Sequence, residues 1–497
     1  MRNLKFKSIL LFILFNSINL KAQPQYTNLY WKVGRHTAID FRSGTATMDL
    51  SDNCTSTIGT TYTQISDRNG QVLFYSNGIA IYNKNDQFVP NADTIGYGYF
   101  TDQYVGLDFN PLFKAAVFVP DPADTNMIYL FYENMHSEVD GSYMPSKLFY
   151  CKLDKRMNNG NGGLVFKDHI AISNDTLSGG EVLAIKHGNG KDWWIITRKF
   201  KSNKYYITLV DETGVHTTNQ IIGNAYTFPY AFNGFCAASP NGEELAFEME
   251  SYQSTPNYLP SEISIVHLDR CNGALSNYRQ LYFPNVSDTI FLSALCFSSN
   301  SKILYGHDLY DFYQFDLTAS NLMASKTHAI HYHDPNPTPM ANMALGPDNK
   351  IYISHISSNQ YMHVINNPDV LGSGCNFTPN IFNFGGFGHW HDGGDLNIPN
   401  YSLAPVAPCG NVGINETPPL ATLEIYPNPS SGQTKITVPA NTIQLNVFNG
   451  IGELIAQYNN PLKAIELNTT TFAKGMYLVE ALKSNGKKEV GKMIVSN

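Results

Sequence analysis

One short pattern returns along this chain, and it limits the possible folds more than any other feature. An apolar run leads into a brief polar turn, and a second apolar run leads out. Residues 64–75 are one copy, turning at Asn69-Gly70. Residues 237–247 are another, turning at Ser239-Pro240-Asn241-Gly242. Residues 296–305 and 343–353 repeat the form, and 183–195 carry a weaker version. The runs have strand character, and helical 3.6 periodicity is almost absent between residues 23 and 410. The last four turns, near residues 188, 241, 299 and 348, fall about 50 residues apart.

A repeat of 40–50 residues holding several strands is the mark of a β-propeller. A single four-stranded blade leaves its faces uncovered, while neighbours stacked around an axis cover them. A further strand follows each copy, at 204–210, 262–268, 312–317 and 362–365. Some 390 residues at this spacing give about seven blades. The expected ring closure pairs residues 29–33 with 400–403. The Ser-Pro-Asn-Gly turn resembles the hairpin joining the first two strands of WD40-like and YVTN-like blades. Residues 28–401 also resemble the strand-rich opening of many large surface proteins of Bacteroidota. Asp40-Phe41, the 65–70 run, Leu73 to Gly78, Asn83 and Pro90-Asn91 carry that resemblance. It implies no catalytic residue.

The pattern changes near the C-terminus. Residues 411–421 read as a linker, preceded by Pro405 and Pro408 and containing Pro418 and Pro419. Residues 422–497 then hold about seven short strands, with Asn449-Gly450-Ile451-Gly452 as a hairpin turn. That patterning predicts a small Ig-like β-sandwich. The opening Tyr426-Pro427-Asn428-Pro429 and the Gly450 and Gly452 turn belong to a recognisable set. So do the Gly475 to Tyr477 strand and the final strand from Lys492. Together they resemble the type A C-terminal sorting domain of the type IX secretion system of Bacteroidota. The resemblance implies contact with the secretion machinery, then attachment to surface lipopolysaccharide or release.

The opening residues fit an exported protein. Residues 1–22 read as a signal peptide: Arg2, Lys5 and Lys7 precede an apolar run at 9–15, and Ala22 offers a cleavage point. No stretch of about 18 apolar residues follows, so no membrane span is expected. The leader carries +4 and the tail +2, so the middle holds −14 of a total of −8. Charged residues are only 15% of the chain and no basic excess exists, which excludes a nucleic-acid binder. The domain reading is therefore leader 1–22, propeller 23–410, linker 411–421 and sorting domain 422–497.

Export admits disulfides among the seven Cys, none of which has CxxC spacing. Cys375 and Cys409 flank the end of the body and could close it, while Cys236 and Cys296 sit in apolar runs and read as buried thiols. The strongest metal candidate is His389-Trp390-His391-Asp392, set among glycines. Alternate residues of a strand point the same way, so His389 and His391 could share a divalent ion with Asp392. Imidazole with carboxylate suits Zn or Cu. His328, His331, His333 and Asp334 form a second group, while Asp40, Asp108, Glu181 and Asp311 are weaker channel candidates. The Tyr and Phe excess reads first as strand core. No nucleophile elbow, HExxH or P-loop occurs. The expected function is a non-enzymatic surface or secreted module binding an extracellular glycan, peptide or protein. The alternative is a metal-assisted hydrolase or lyase.

Overall fold

Each repeated turn closes in the same way. The N–H of its fourth residue donates to the carbonyl of its first. This holds for Gly70 to Asp67, Gly190 to His187, Gly242 to Ser239, Ser301 to Ser298 and Asn349 to Gly346, at 2.8–3.0 Å. The fourth residue always has positive φ, from +63° at Ser301 and Asn349 to +79° at Gly70. Glycine enters that region freely and Asn at modest cost, which explains the Asn-Gly signature. Ser239 and Ser298 add a lock: their hydroxyls accept the N–H groups of Glu244 and Ile303, both at 2.9 Å.

These details come from a computed structural model. It describes residues 25–496 except 97–109, 136–143, 226–230, 252–260, 284–293, 308–310, 333–339, 356–360, 386–389, 392–394, 408, 410–422, 451 and 485–487. The leader and the whole linker therefore lie outside the described residues. The chain divides into two compact units, Met1–Cys409 and Gly410–Asn497.

Among the described residues the first unit builds seven sheets, as a seven-bladed propeller requires. Five are consecutive antiparallel meanders of four strands. They open with Ala116–Pro120, Leu183–Lys186, Ala231–Ala238, Ala294–Phe297 and Met340–Leu345. Each opening strand neighbours the next, so these strands line an axis and their sheets are blades 3 to 7. Blade 2 opens with Thr61–Asp67, which neighbours Ala116–Pro120. Blade 1 holds Tyr30–Arg35, Thr37–Asp40 and Thr47–Asp49.

The inner strand of blade 1 comes from the far end of the chain. Trp390–His391 pairs antiparallel with Tyr30–Arg35, placing His391 opposite Gly34 and Trp390 opposite Arg35. Asp395–Leu396 then runs parallel to Thr61 and Tyr62 and fills the gap between blades 7 and 2. This corrects the expected closure. Trp390–His391 and Asp395–Leu396 close the ring, and Asn400 to Leu403 do not. Pro399 has no N–H to give a ladder, and the groups after it bond across the ring instead.

Those cross-ring bonds form a strap. The Asn397 amide donates to the carbonyls of Ala116 and Val182, at 2.9 and 2.8 Å. Tyr401 reaches the Phe118 carbonyl, and Asn400 the Pro240 carbonyl. The Arg270 guanidinium donates to the carbonyls of Ala404 and Lys186, and the Val406 N–H to that of Gly188. Cys409 then forms a disulfide with Cys271 in a turn of blade 5. The Cys375–Cys409 pairing is thus replaced, because Cys375 is buried in a blade 7 turn while the strap leads to blade 5. Gly188 makes room for the bridge: a Cβ there would lie 2.2 Å from the Cys409 sulfur. Cys236 and Cys296 are buried thiols outside the disulfide, as their apolar settings implied.

Aromatic residues fill the spaces between blades. Phe235, Phe283, Phe297 and Phe315 pack together across blades 5 and 6. Tyr62, Tyr75, Tyr132, Tyr205 and Tyr305 are all but fully buried. Fully burying a large apolar side chain stabilises by about 1.5–3 kcal/mol, so this excess is core.

In the second unit, sheets of three and four strands carry a core of Ile436, Leu445, Val447, Tyr477, Val479 and Met493. That is the expected small β-sandwich.

Candidate functional site

The inner strands enclose a central cavity of about 610 Å³. Residues of Leu183–Lys186, Ala231–Ala238, Ala294–Phe297 and Met340–Leu345 form its wall, and Leu396 to Leu403 run across it. Apolar side chains such as Trp31, Ile185 and Phe297 supply much of the surface. Arg68, Lys114 and Lys186 add positive charge, and no Asp or Glu is among the described lining residues. The Lys114 ammonium donates to the Cys236 carbonyl at 2.8 Å, and that of Lys186 to the Tyr401 carbonyl at 2.9 Å. Burial, with Arg270 nearby, lowers the Lys186 pKa. Sequence reading missed these cations, because isolated basic residues on strands give no signal of a shared cavity.

Behind the wall lies a buried polar group. Arg198 holds Glu181 through two hydrogen bonds of 2.8 and 2.5 Å, both side chains nearly inaccessible. Glu133 accepts the Gly180 N–H at 3.2 Å and the Thr197 hydroxyl at 3.2 Å, linking blades 3 and 4. Burial pushes its pKa up to about 8, with the Glu181 charge adding to the rise. A second buried pair sits in blade 7. The Asn380 N–H donates to His363 Nδ1 at 3.0 Å, so the neutral ring carries its proton on Nε2, 2.8 Å from His355 Nε2. Burial, then the neighbouring His355, holds the His363 pKa down at about 3.

These two groups give opposite pH slopes. The unfolded state protonates His363 below about 6.5 while the folded state does not, so stability falls as pH drops from there towards 3. Glu133 keeps its proton in the folded state up to about 8 but loses it near 4.5 when unfolded, so stability also falls as pH rises across that interval. Urea unfolding against pH is expected to show both limbs. Glu133→Gln should flatten the alkaline limb and leave the acidic one, and an unchanged alkaline limb would refute this assignment.

The sequence candidates separate. His389 and Asp392 lie outside the described residues, as do His333, Asp334 and Asp108; for His391 only the backbone, in the closing strand, is described. Asp40 pairs with Arg42 at the surface. Glu181 backs the channel wall, while Asp311, His328 and His331 meet on the outer part of blade 6.

The sandwich motif residues have defined tasks. Asn428 receives the Ile494 N–H at 2.8 Å and donates to the Lys492 carbonyl at 2.6 Å, fixing the Tyr426 to Pro429 opening to the final strand. The Gly452 N–H closes the hairpin turn on the Asn449 carbonyl at φ +83°. Gly475 begins the strand opposite Val495. Buried Tyr477 anchors its hydroxyl on the Ala473 carbonyl at 2.9 Å. Residues 424–496 match the family described as secretion system C-terminal sorting domain. This unit is a type IX sorting domain. The sorting domain directs the protein to the cell surface or the extracellular space. Among the described residues no helix is long and apolar enough to cross a membrane.

Solved structures similar to the chain include PorZ, an essential surface component of the type IX secretion system of Porphyromonas gingivalis. It shows 12% identity, covering 93% of this chain and 68% of PorZ, at TM-score 0.29. A candidate 6-phosphogluconolactonase from Bacteroides uniformis shows 14% identity, with coverage of 70% and 87% and TM-score 0.34. The periplasmic gluconolactonase PpgL of Pseudomonas aeruginosa shows 11%, with coverage of 73% and 95% and TM-score 0.29. No curated protein sequence matches the chain.

Proposed function

We propose that this cargo of the type IX system is a binding module whose channel holds a small anionic ligand of sugar or short-peptide size. Residues 1–22 would be the leader for the inner membrane of a Bacteroidota cell, and residues 23–410 the working body. The observation that carries the reading is the lining of the central cavity. Its volume of about 610 Å³ suits a small ligand, and the charged side chains among its described lining residues are all cationic in a protein of net charge −8. A cationic recess with low-dielectric walls favours anions.

The test is titration of the secreted protein with uronic acids, acidic oligosaccharides and acidic peptides. At least one should bind, and binding should weaken with salt. Lys186→Met should weaken it by tenfold or more. Binding indifferent to both Lys186→Met and Lys114→Met would reject the channel as the site. Turnover of a bound ligand would favour a hydrolase or lyase instead.

A further inference from the structure

We infer that Asp311, His328 and His331 form a surface site for a divalent transition metal of the zinc type. Asp311 begins the strand Asp311–Asp316, and both His lie on the neighbouring strand Thr327–His331, last of blade 6. Asp311 Oδ1 stands 2.7 Å from His328 Nε2 and 2.7 Å from His331 Nδ1. All three donor atoms lie within 4.8 Å of one another.

The backbone brings this about. Residues three apart on a regular strand face opposite sides. Here the pairing runs Asp311 to His331, Phe312 to Ile330, then Tyr313 to His328, with a register shift between the last two. Ala329 is the extra residue of a bulge. A bulge re-aims side chains, and this one brings His328 round to the face of His331. Ile330 meanwhile stays buried against the blade 6 and 7 core. The bulge thus separates a packing residue from two histidines that need no burial.

The donor set selects the ion. Two imidazoles and one carboxylate suit Zn²⁺, Cu²⁺ or Ni²⁺ and are a poor set for Ca²⁺ or Mg²⁺, which take oxygen ligands. Zinc binds nitrogen and oxygen donors at about 2.0–2.2 Å, which sets donor atoms roughly 3.4 Å apart. The donors at 2.7 Å need to open by less than about 1 Å, a small motion for side chains as exposed as His328 and His331, at 52% and 64%. Three ligands among the described residues leave a fourth position for water or a further donor. The site is independent of the channel and stands whether or not the channel binds an anion.

The experiment is calorimetric titration of the full secreted chain with ZnCl₂, and with CaCl₂ as control. The expected result is a micromolar zinc site that His328→Ala, His331→Ala and Asp311→Asn each weaken by tenfold or more. Melting temperature without metal should not change, since none of the three is a core residue. His389→Ala with His391→Ala should leave this site intact. Zinc binding unaltered in a His328→Ala and His331→Ala double variant would overturn the assignment, as would equal affinity for Ca²⁺.

Discussion

A chain ending at residue 422 is expected to fold its propeller and stay in the periplasm. The ring and the sandwich are separate compact units, and the sorting-domain core is drawn from residues 423 onwards. Removing it takes no side chain from any interface between blades. Surface proteolysis of whole cells, with fractionation, should find the truncated body protected and periplasmic. A finer variant gives a graded result. Asn428→Ala deletes both hydrogen bonds that fix the opening motif to the last strand, each contributing about 1 kcal/mol. It should leave the propeller's melting unchanged and lower the amount displayed. Full surface display of the truncated chain would mean that export uses another signal.

Loss of the Cys271–Cys409 bridge should have the largest effect on stability. The bridge joins residues 138 apart, and closing a loop of this size constrains the unfolded chain by about 4–5 kcal/mol. It also fixes the end of the strap that crosses the inner strands. Without it, the Val406 bond to Gly188 and the Arg270 bond to Ala404 anchor a free end. Cys409→Ser should unfold the body at clearly lower denaturant, and a reducing agent should do the same to the native protein. The reducing agent should have little further effect on Cys409→Ser. Equal midpoints for native and variant protein would show that the hydrogen bonds alone hold the strap.

Much of this architecture could be read from residues. The turns at Asn69-Gly70 and Asn241-Gly242 announced themselves through a glycine whose positive φ the turn requires. Their spacing led to the blades, and the linker prolines led to a second unit. Contacts that depend on position around the ring were not legible. Asn397 reads as an ordinary polar residue, yet its amide bridges blades 3 and 4. Cys271 gave no sign that Cys409 would be its neighbour, since the strap's path follows from ring curvature and not from local pattern. His328 and His331, at odd spacing, would face apart on a regular strand, and only the bulge at Ala329 puts them on one face. The Tyr426 to Pro429 motif was the reverse case, because its pairing with the final strand accompanies a short signature.

The closing strand also sets an order of events. The inner place of blade 1 stays vacant until residues 390–396 arrive, although its other strands are made first. A chain threaded across a membrane from its N-terminus can raise six blades while the seventh waits. The sorting domain follows that last strand within about thirty residues, at 424–496. The address is therefore written directly behind the segment that completes the cargo. By the time the whole label has emerged, every part needed to close the ring is present.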